Sequence, residues 1–411
     1  MTQRIVTNEI VNPLPQYQII MNENIPHITK YMGSKRSILD FVIEGINESY
    51  LGGYVCDLFG GTSILSGALR ESAPIIANDI QRYSSVLANL YLSGYNWDDY
   101  PDNIIEVIVG RATERVNIFK STYPIEDFQY TEEMDLATFN QLEELQKSLI
   151  NSDFSNIDYH LFTKNYSGTY WSYEQCLWID AFRAVADEYK GDPIYYVILS
   201  SLMFAMSYNS QSTGHYAQYR DATNEKSMRD ILIYRMKEIT PYFIRKFEEL
   251  QHSLRQNNLP HRVVSMDYID CLDSLDRNTT VYADPPYGFV HYSRFYHALE
   301  TLVRYDYPEV NFKGRYRTDR HQSPFCIRTK VRAAFEQLFS KVKEKESNLV
   351  LSYSDNGMIT LDEIEQIAIE KFGENYSVEV RTQTHLHSTM GRREDKSRNV
   401  QEALILAKKS F

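Results

Sequence analysis

Thr280-Val281-Tyr282-Ala283-Asp284-Pro285-Pro286-Tyr287 is the stretch on which the fold turns. Its first four residues are mostly β-branched or aromatic and read as a short buried strand. A strand that stops at Asp-Pro-Pro sets a carboxylate at the carboxyl edge of a sheet, where open α/β sheets bind ligands. Each proline fixes φ and removes an N–H donor. The product is a stiff corner with free carbonyls, one carboxylate and an aromatic face. Such a corner suits a flat ring bearing an exocyclic amine. Asp284 and the Pro285 carbonyl can each accept one amine hydrogen, and Tyr287 can stack on the ring. Two acceptors aimed at those hydrogens favour a pyramidal, nucleophilic nitrogen, which is preorganised electrostatics combined with positioning. A tight turn in which Asp284 caps and Tyr287 packs would use the same residues, so the weight falls on what stands upstream.

Upstream, Tyr54-Val55-Cys56-Asp57-Leu58-Phe59 reads as a strand that opens into Gly60-Gly61-Thr62-Ser63 and then a helix over 64–70. Ala73-Pro74-Ile75-Ile76-Ala77 is a second strand, ending at Asn78-Asp79-Ile80. This is a β–α–β unit whose glycine turn lets backbone approach a ligand closely, with an acid at its second strand tip. The turn is not Gly-x-Gly-x-x-Gly and lacks the lysine of a P-loop, so neither hydride nor phosphoryl transfer is favoured. Asp79 is placed to bond ribose hydroxyls, or else to cap a helix. Asp267-Tyr268, after a strand at Arg262-Val263-Val264, is a third strand-end pair, suited to a ring and its amine or to a plain turn. Before all of these, Tyr31-Met32-Gly33-Ser34-Lys35-Arg36 sets glycine, hydroxyl and basic groups at the start of a helix.

The chain has 411 residues, enough for two domains or one elaborated domain, with 43% hydrophobic and 24% charged residues. Its net charge of −12 does not advertise a nucleic-acid binder, so any such surface must be a local basic patch on an acidic body. Cys56, Cys176, Cys271 and Cys326 are scattered without Cys-x-x-Cys. They read as reduced core thiols of a cytoplasmic protein, not a disulfide frame or zinc site. No run reaches the length of a membrane span, and the first residues lack the apolar core of a signal peptide. His385 and His387 have no third partner at metal-ligand spacing, so no metal site is expected.

Taken in order, these pieces resemble one family: the S-adenosylmethionine-dependent DNA adenine N6-methyltransferases of the group related to the Dam methylase. Tyr31 to Arg36, with Tyr31, Gly33 and Lys35, resembles the N-terminal Gly-x-Lys-Arg motif that flanks the donor's methionine end. Asp57, Phe59, Gly60, Gly61, Thr62 and Ser63 resemble the Phe-x-Gly-x-Gly loop. Asp79, beside Ile80, matches the ribose-binding acid, and Asp267-Tyr268 the pair at the donor's adenine. Asp284, Pro285, Pro286 and Tyr287 match the catalytic Asp-Pro-Pro-Tyr. The likeness covers roughly residues 28–95, 195–220 and 260 to the end. Ser63 stands where the family usually has its second glycine, residues 95–190 match no motif, and the segment from Tyr292 to Arg328 is longer than this motif usually carries behind it.

The resemblance implies a Rossmann-like methyltransferase sheet, mostly parallel with helices on both faces. The expected division is an arm over 1–26, a catalytic domain from 27–90 and 260–411, and a mainly helical recognition insertion over 91–259. It implies S-adenosylmethionine as cofactor, duplex DNA as partner with a flipped adenine, and a restriction-modification or solitary role, the former with a cognate endonuclease. Phosphate contacts are expected from Lys313-Gly314-Arg315-Tyr316-Arg317 with Arg320, and from a second basic loop holding Arg392, Arg393, Lys396 and Arg398. Asn209 and Arg220 stand in a polar loop that precedes the recognition region in the family. Two other readings use the same residues: methylation of RNA adenine, and a DNA-binding component with a degenerate donor pocket, which Ser63 would favour. A cytosine N4 enzyme would more often carry serine in place of Asp284.

Overall fold

The computed structural model describes residues 18–29, 31, 35–125, 128–211, 215–286, 288, 291–354, 357–388 and 397–410. The short apolar runs of the sequence become the centre of a sheet. Strands β1 (Val55–Asp57), β2 (Ile75–Asn78), β3 (Arg262–Val264) and β4 (Thr280–Ala283) lie parallel in the order β3-β2-β1-β4. A separate two-residue pairing, β5 (Val310–Asn311) with β6 (Tyr316–Arg317), forms a hairpin. β7 (Asn348–Ser354) continues the sheet parallel to β4. β8 (Tyr376–Ser388) forms the far edge, and β9 (Ser397–Lys409) lies antiparallel between β7 and β8.

Alternation along the strands divides the molecule into two cores, since successive side chains leave opposite faces. Val55, Ile75, Tyr282, Val350 and Leu404 join one apolar cluster; Cys56, Ile76, Val281, Leu351 and Ile405 join another. The first face is covered by α1 (Leu39–Ser49), α2 (Ile64–Leu69) and α3 (Arg82–Leu92), and the second by helices Val331–Glu344 and Leu361–Phe372. α1 sits close because Gly45 has no Cβ; one added there would lie 2.9 Å from Leu404 Cδ1. Helices on both faces of a mainly parallel sheet make this a Rossmann-like α/β fold.

Between α3 and β3 the described chain is helical. The apolar run expected to be a buried helix is Ile194–Asn209, which packs on α3 and on Ile239–Ser253. Two helices follow, Glu225–Arg235 and Ile239–Ser253. The break falls just before Pro241, which is tolerated in a first turn where N–H groups lack partners anyway. β8 and β9 stay paired as far as Ser388 opposite Ser397, so both ends of the second basic stretch are strand; residues 389–396 lie outside the described ones. The four cysteines are buried and free. Among the described residues no helix is long and apolar enough to cross a membrane.

Candidate active site

The sheet order reverses at β1, with β2 on one side and β4 on the other. The register sets Asp57 beside Ala77 and Tyr282, so Asp57, Asp79 and Asp284 all reach the same carboxyl edge. One cavity opens there. Tyr31, Lys35, Asp57, Phe59, Gly60, Gly61 and Thr62 line it from one side, with Asp79, Ile80, Asp267, Tyr268, Asp284, Pro285 and Pro286 around the rest. The glycine turn and the proline corner thus share a single space.

The turn after β1 is held by its own amides. Gly60 N donates to Asn78 O at 2.8 Å, and Gly61 N donates to Asp79 Oδ2 at 2.9 Å. Asp79 Oδ1 accepts from Gln81 N at 2.8 Å, so this carboxylate fixes the turn that it faces. Gly61 has φ +53°, and a Cβ there would meet the Tyr31 phenol at 3.4 Å. Its bare backbone keeps that wall of the cavity open. Ser63 takes φ +54° although it is not glycine, a strain of roughly 1–3 kcal/mol. Its Oγ lies 3.3 Å from Ser84 O, and it is absent from the cavity lining. Ser63 therefore shapes the turn from beside the cavity-lining Thr62, and glycine would relax the same conformation.

At the proline corner, Lys35 Nζ lies 3.2 Å from Asp284 Oδ1 and 3.1 Å from Glu402 Oε2. Burial pushes Asp284 up to about 6, Lys35 pulls it back, and Glu402 pushes it up again. Burial by itself would lower Lys35, but Asp284 and Glu402 hold it above its usual range. Burial also takes Asp57 up to about 7, opposed by the Ser66 hydroxyl 2.8 Å away and aided by the charges of Asp284 and Asp79. The Cys326 thiol lies 3.9 Å from Pro286 O and backs the corner.

Aromatic rings close the two ends. Tyr31 stacks on Tyr296 at 4.4 Å and on Tyr292 at 5.5 Å, with its hydroxyl 3.5 Å from that of Tyr83. At the opposite end Phe59 packs on Tyr268 at 5.8 Å and edge-on to Phe325 at 5.5 Å. Asp267 caps helix Tyr268–Ser274 by accepting from Ile269 N. A glycine cradle, aromatic walls and several carboxyls fit a nucleoside carrying hydroxyls and a cationic tail.

Residues 31–358 match the model of the D12 class N6 adenine-specific DNA methyltransferases. The chain belongs to that family. Modification methylase LlaI of Lactococcus lactis subsp. lactis is 23% identical over 390 residues, covering 93% of this chain and 55% of that protein. Type II methyltransferase M.FokI of Planomicrobium okeanokoites is 23% identical over 352 residues, covering 82% and 46%. Type II methyltransferase M.NlaIII of Neisseria lactamica is 21% identical over 393 residues, covering 93% and 99%. The chain spans about half the length of LlaI and M.FokI.

Within this D12-class chain, the basic residues expected at DNA divide sharply. Arg317 is buried and clasps Asp306 at 2.6 Å and Asp319 at 3.0 Å. Arg315 donates to the carbonyls of Asn165 and Lys147 at 2.6 and 2.9 Å. Lys313 pairs with Asp221. Asn209 is fully buried and donates to Ala205 O at 2.7 Å, within its own helix. Arg317, Arg315 and Asn209 thus spend their donors inside the protein, while Lys313 is exposed in a surface ion pair. Arg220 is partly exposed, with Asp230 at 3.5 Å. Tyr316 is buried, stacked on Phe312 and flanked by Arg294 and Arg320. Gly33, Tyr287, Arg392, Arg393 and Lys396 lie outside the described residues, and Arg398 is described only as a backbone partner of His387 in β9.

Sequence reasoning missed Glu402, Tyr83, Tyr292 and Tyr296. Glu402 carried one usable signal: an acid at the mouth of an otherwise apolar strand that must be buried beside β7. The tyrosines were lost among 32 of their kind.

Proposed function

We propose that this chain transfers the methyl group of S-adenosylmethionine to the N6 amine of an adenine turned out of duplex DNA. The observation that carries the reading is the shared cavity: the Asp284-Pro285-Pro286 corner and the Gly60-Gly61 turn face one space. Bound there, the sulfonium supplies an activated methyl carbon. Asp284 and the Pro285 carbonyl accept the two amine hydrogens and leave the nitrogen lone pair free to attack. In that transfer the N–C bond would form as the C–S bond breaks and its electrons pass to sulfur, and the surplus N6 proton would pass to the Asp284 carboxylate. Above about pH 6 Asp284 is ionised and can serve as acceptor, with Lys35 fixing its orientation. Asp79, Asp267 and Tyr268 hold the nucleoside part of the donor, Tyr31 and Lys35 border its methionine end, and Tyr287 stacks on the target ring.

The remaining assignments follow from that reading. Residues 27–90 and 260–411 form the catalytic domain, and 91–259 supply target recognition. The names of the relatives favour a modification role, with a cognate endonuclease as partner in the cytoplasm. Labelled methyl transfer to duplex DNA and to RNA tests the substrate; label in RNA alone would overturn it. Titration calorimetry with S-adenosylmethionine tests the pocket, and no heat and no stabilisation would favour a binder that has lost catalysis.

A further inference from the structure

The side chains of two arginines next in sequence to cavity-lining residues have no hydrogen-bond or ion-pair partner among the described residues. Arg294 follows the cavity-lining Ser293 in helix Tyr292–Phe295, and Arg320 precedes the cavity-lining His321. Ser293 Oγ donates to His321 O at 2.5 Å and clips the two segments together. Both guanidiniums lie over the Tyr316 ring, at 5.3 and 5.6 Å from its centre. Arg294 Nε and Arg320 Nη1 are shielded from water, and neither has a hydrogen-bond partner among the described residues. Neither arginine has a carboxylate within ion-pair distance among those residues, while Arg304, Lys313 and Arg317 close by all do.

A buried donor without a partner destabilises a fold, more so when charged, and stacking on one tyrosine offsets only part of that. That balance is poor for packing alone and good for a site that waits for an anion. Both guanidiniums share one ring, and a planar fork matches a phosphate better than a lone ammonium does.

We propose that Arg294 and Arg320, braced on Tyr316, form a clamp for a backbone phosphodiester beside the nucleotide whose base enters the cavity. The proposal rests on the DNA-methyltransferase reading. It moves the strong phosphate contact from the Lys313-to-Arg317 run to a pair of arginines that the internal ion pairs leave over. The donor's carboxylate is the other anion that chemistry allows, and the experiment separates the two.

The experiment measures fluorescence anisotropy of a labelled duplex with the full chain across a salt series. Arg294→Gln and Arg320→Gln together should reduce the slope of log K against log salt by about 0.9, the value for one phosphate contact, and neither alone by more. Arg294→Lys and Arg320→Lys should keep the slope while weakening affinity, which covers the case of glutamine variants that fold poorly. Lys313→Gln should leave the slope unchanged. Calorimetry with S-adenosylmethionine should give wild-type affinity for every arginine variant. Unchanged slopes in the glutamine variants, with salt-dependent binding by the wild type, would overturn the clamp and spare the functional reading. Lost donor affinity with unchanged slopes would assign the arginines to the donor's carboxylate and overturn the clamp. A wild type that binds no DNA would remove both.

Discussion

Around the cavity one lysine is shared by two carboxylates, Asp284 and Glu402. In the strap from Arg304 to Arg320 the pattern is more even: Asp306 and Asp319 each meet both Arg304 and Arg317. The cavity is left with acceptors in excess, ready for an amine and for hydroxyls. Within the strap Arg304 and Arg317 are spent on its own two acids and hold a hairpin in shape, while Arg320 is left over. A basic run in a sequence therefore says little about where an anion binds; what matters is which cations remain after folding.

The sharpest way to break this contrast is at Asp284. Asp284→Asn keeps the shape and removes the charge. Methyl transfer should fall by about 100- to 1,000-fold, as when one preorganised polar group is lost, while calorimetric donor affinity stays close to wild type. Full turnover would take Asp284 out of the chemistry. On the strap side, Arg317→Ala should act through the fold, lowering stability by about 2 kcal/mol as its charged hydrogen bonds disappear. Thermal melting reads this, and an unchanged melting temperature would return Arg317 to the surface.

The third test uses pH. Asp57 is carried up to about 7 by burial, so its neutral form suits the fold. The stability it contributes is full below the ordinary carboxylate range near pH 4 and is lost as pH rises through about 7. Asp57→Asn should raise Tm at pH 8 by roughly 2–4 °C and leave it nearly unchanged at pH 4. Equal effects at both pH values would mean the charge is not the cause. The smallest effect is expected at Glu402. Glu402→Gln removes a neighbour that pushes Asp284 up, so Lys35 acts on Asp284 undivided. The acid limb of the transfer rate should move to lower pH with little change in the plateau; a limb that stays in place would make Glu402 only a structural partner.

The parts of this molecule legible in its sequence are local. The β3 and β4 strands stand where β-branched runs placed them, and the Gly60-Gly61 turn needs only neighbours to be recognised. What escaped depends on pairing across the fold. Lys35 and Glu402 are 367 positions apart, and no spacing rule connects them. Arg317 and Arg320 look alike in sequence; one finds two acids and the other a tyrosine ring. Ser63 looked like a weakened ligand contact because a missing glycine was visible while its left-handed backbone was not.

β9 comes after every other described strand, yet it occupies an interior slot between β7 and β8. Because β8 pairs only with β9, β7 stays a bare edge of the sheet until residues 397–409 leave the ribosome. Lys35 emerges hundreds of residues earlier and waits for its second counter-ion until that strand is inserted. A nascent or prematurely terminated chain thus has Lys35 paired with Asp284 alone, without the second carboxylate of the finished pocket. Insertion of the final strand is the step that sets the electrostatics of the finished pocket.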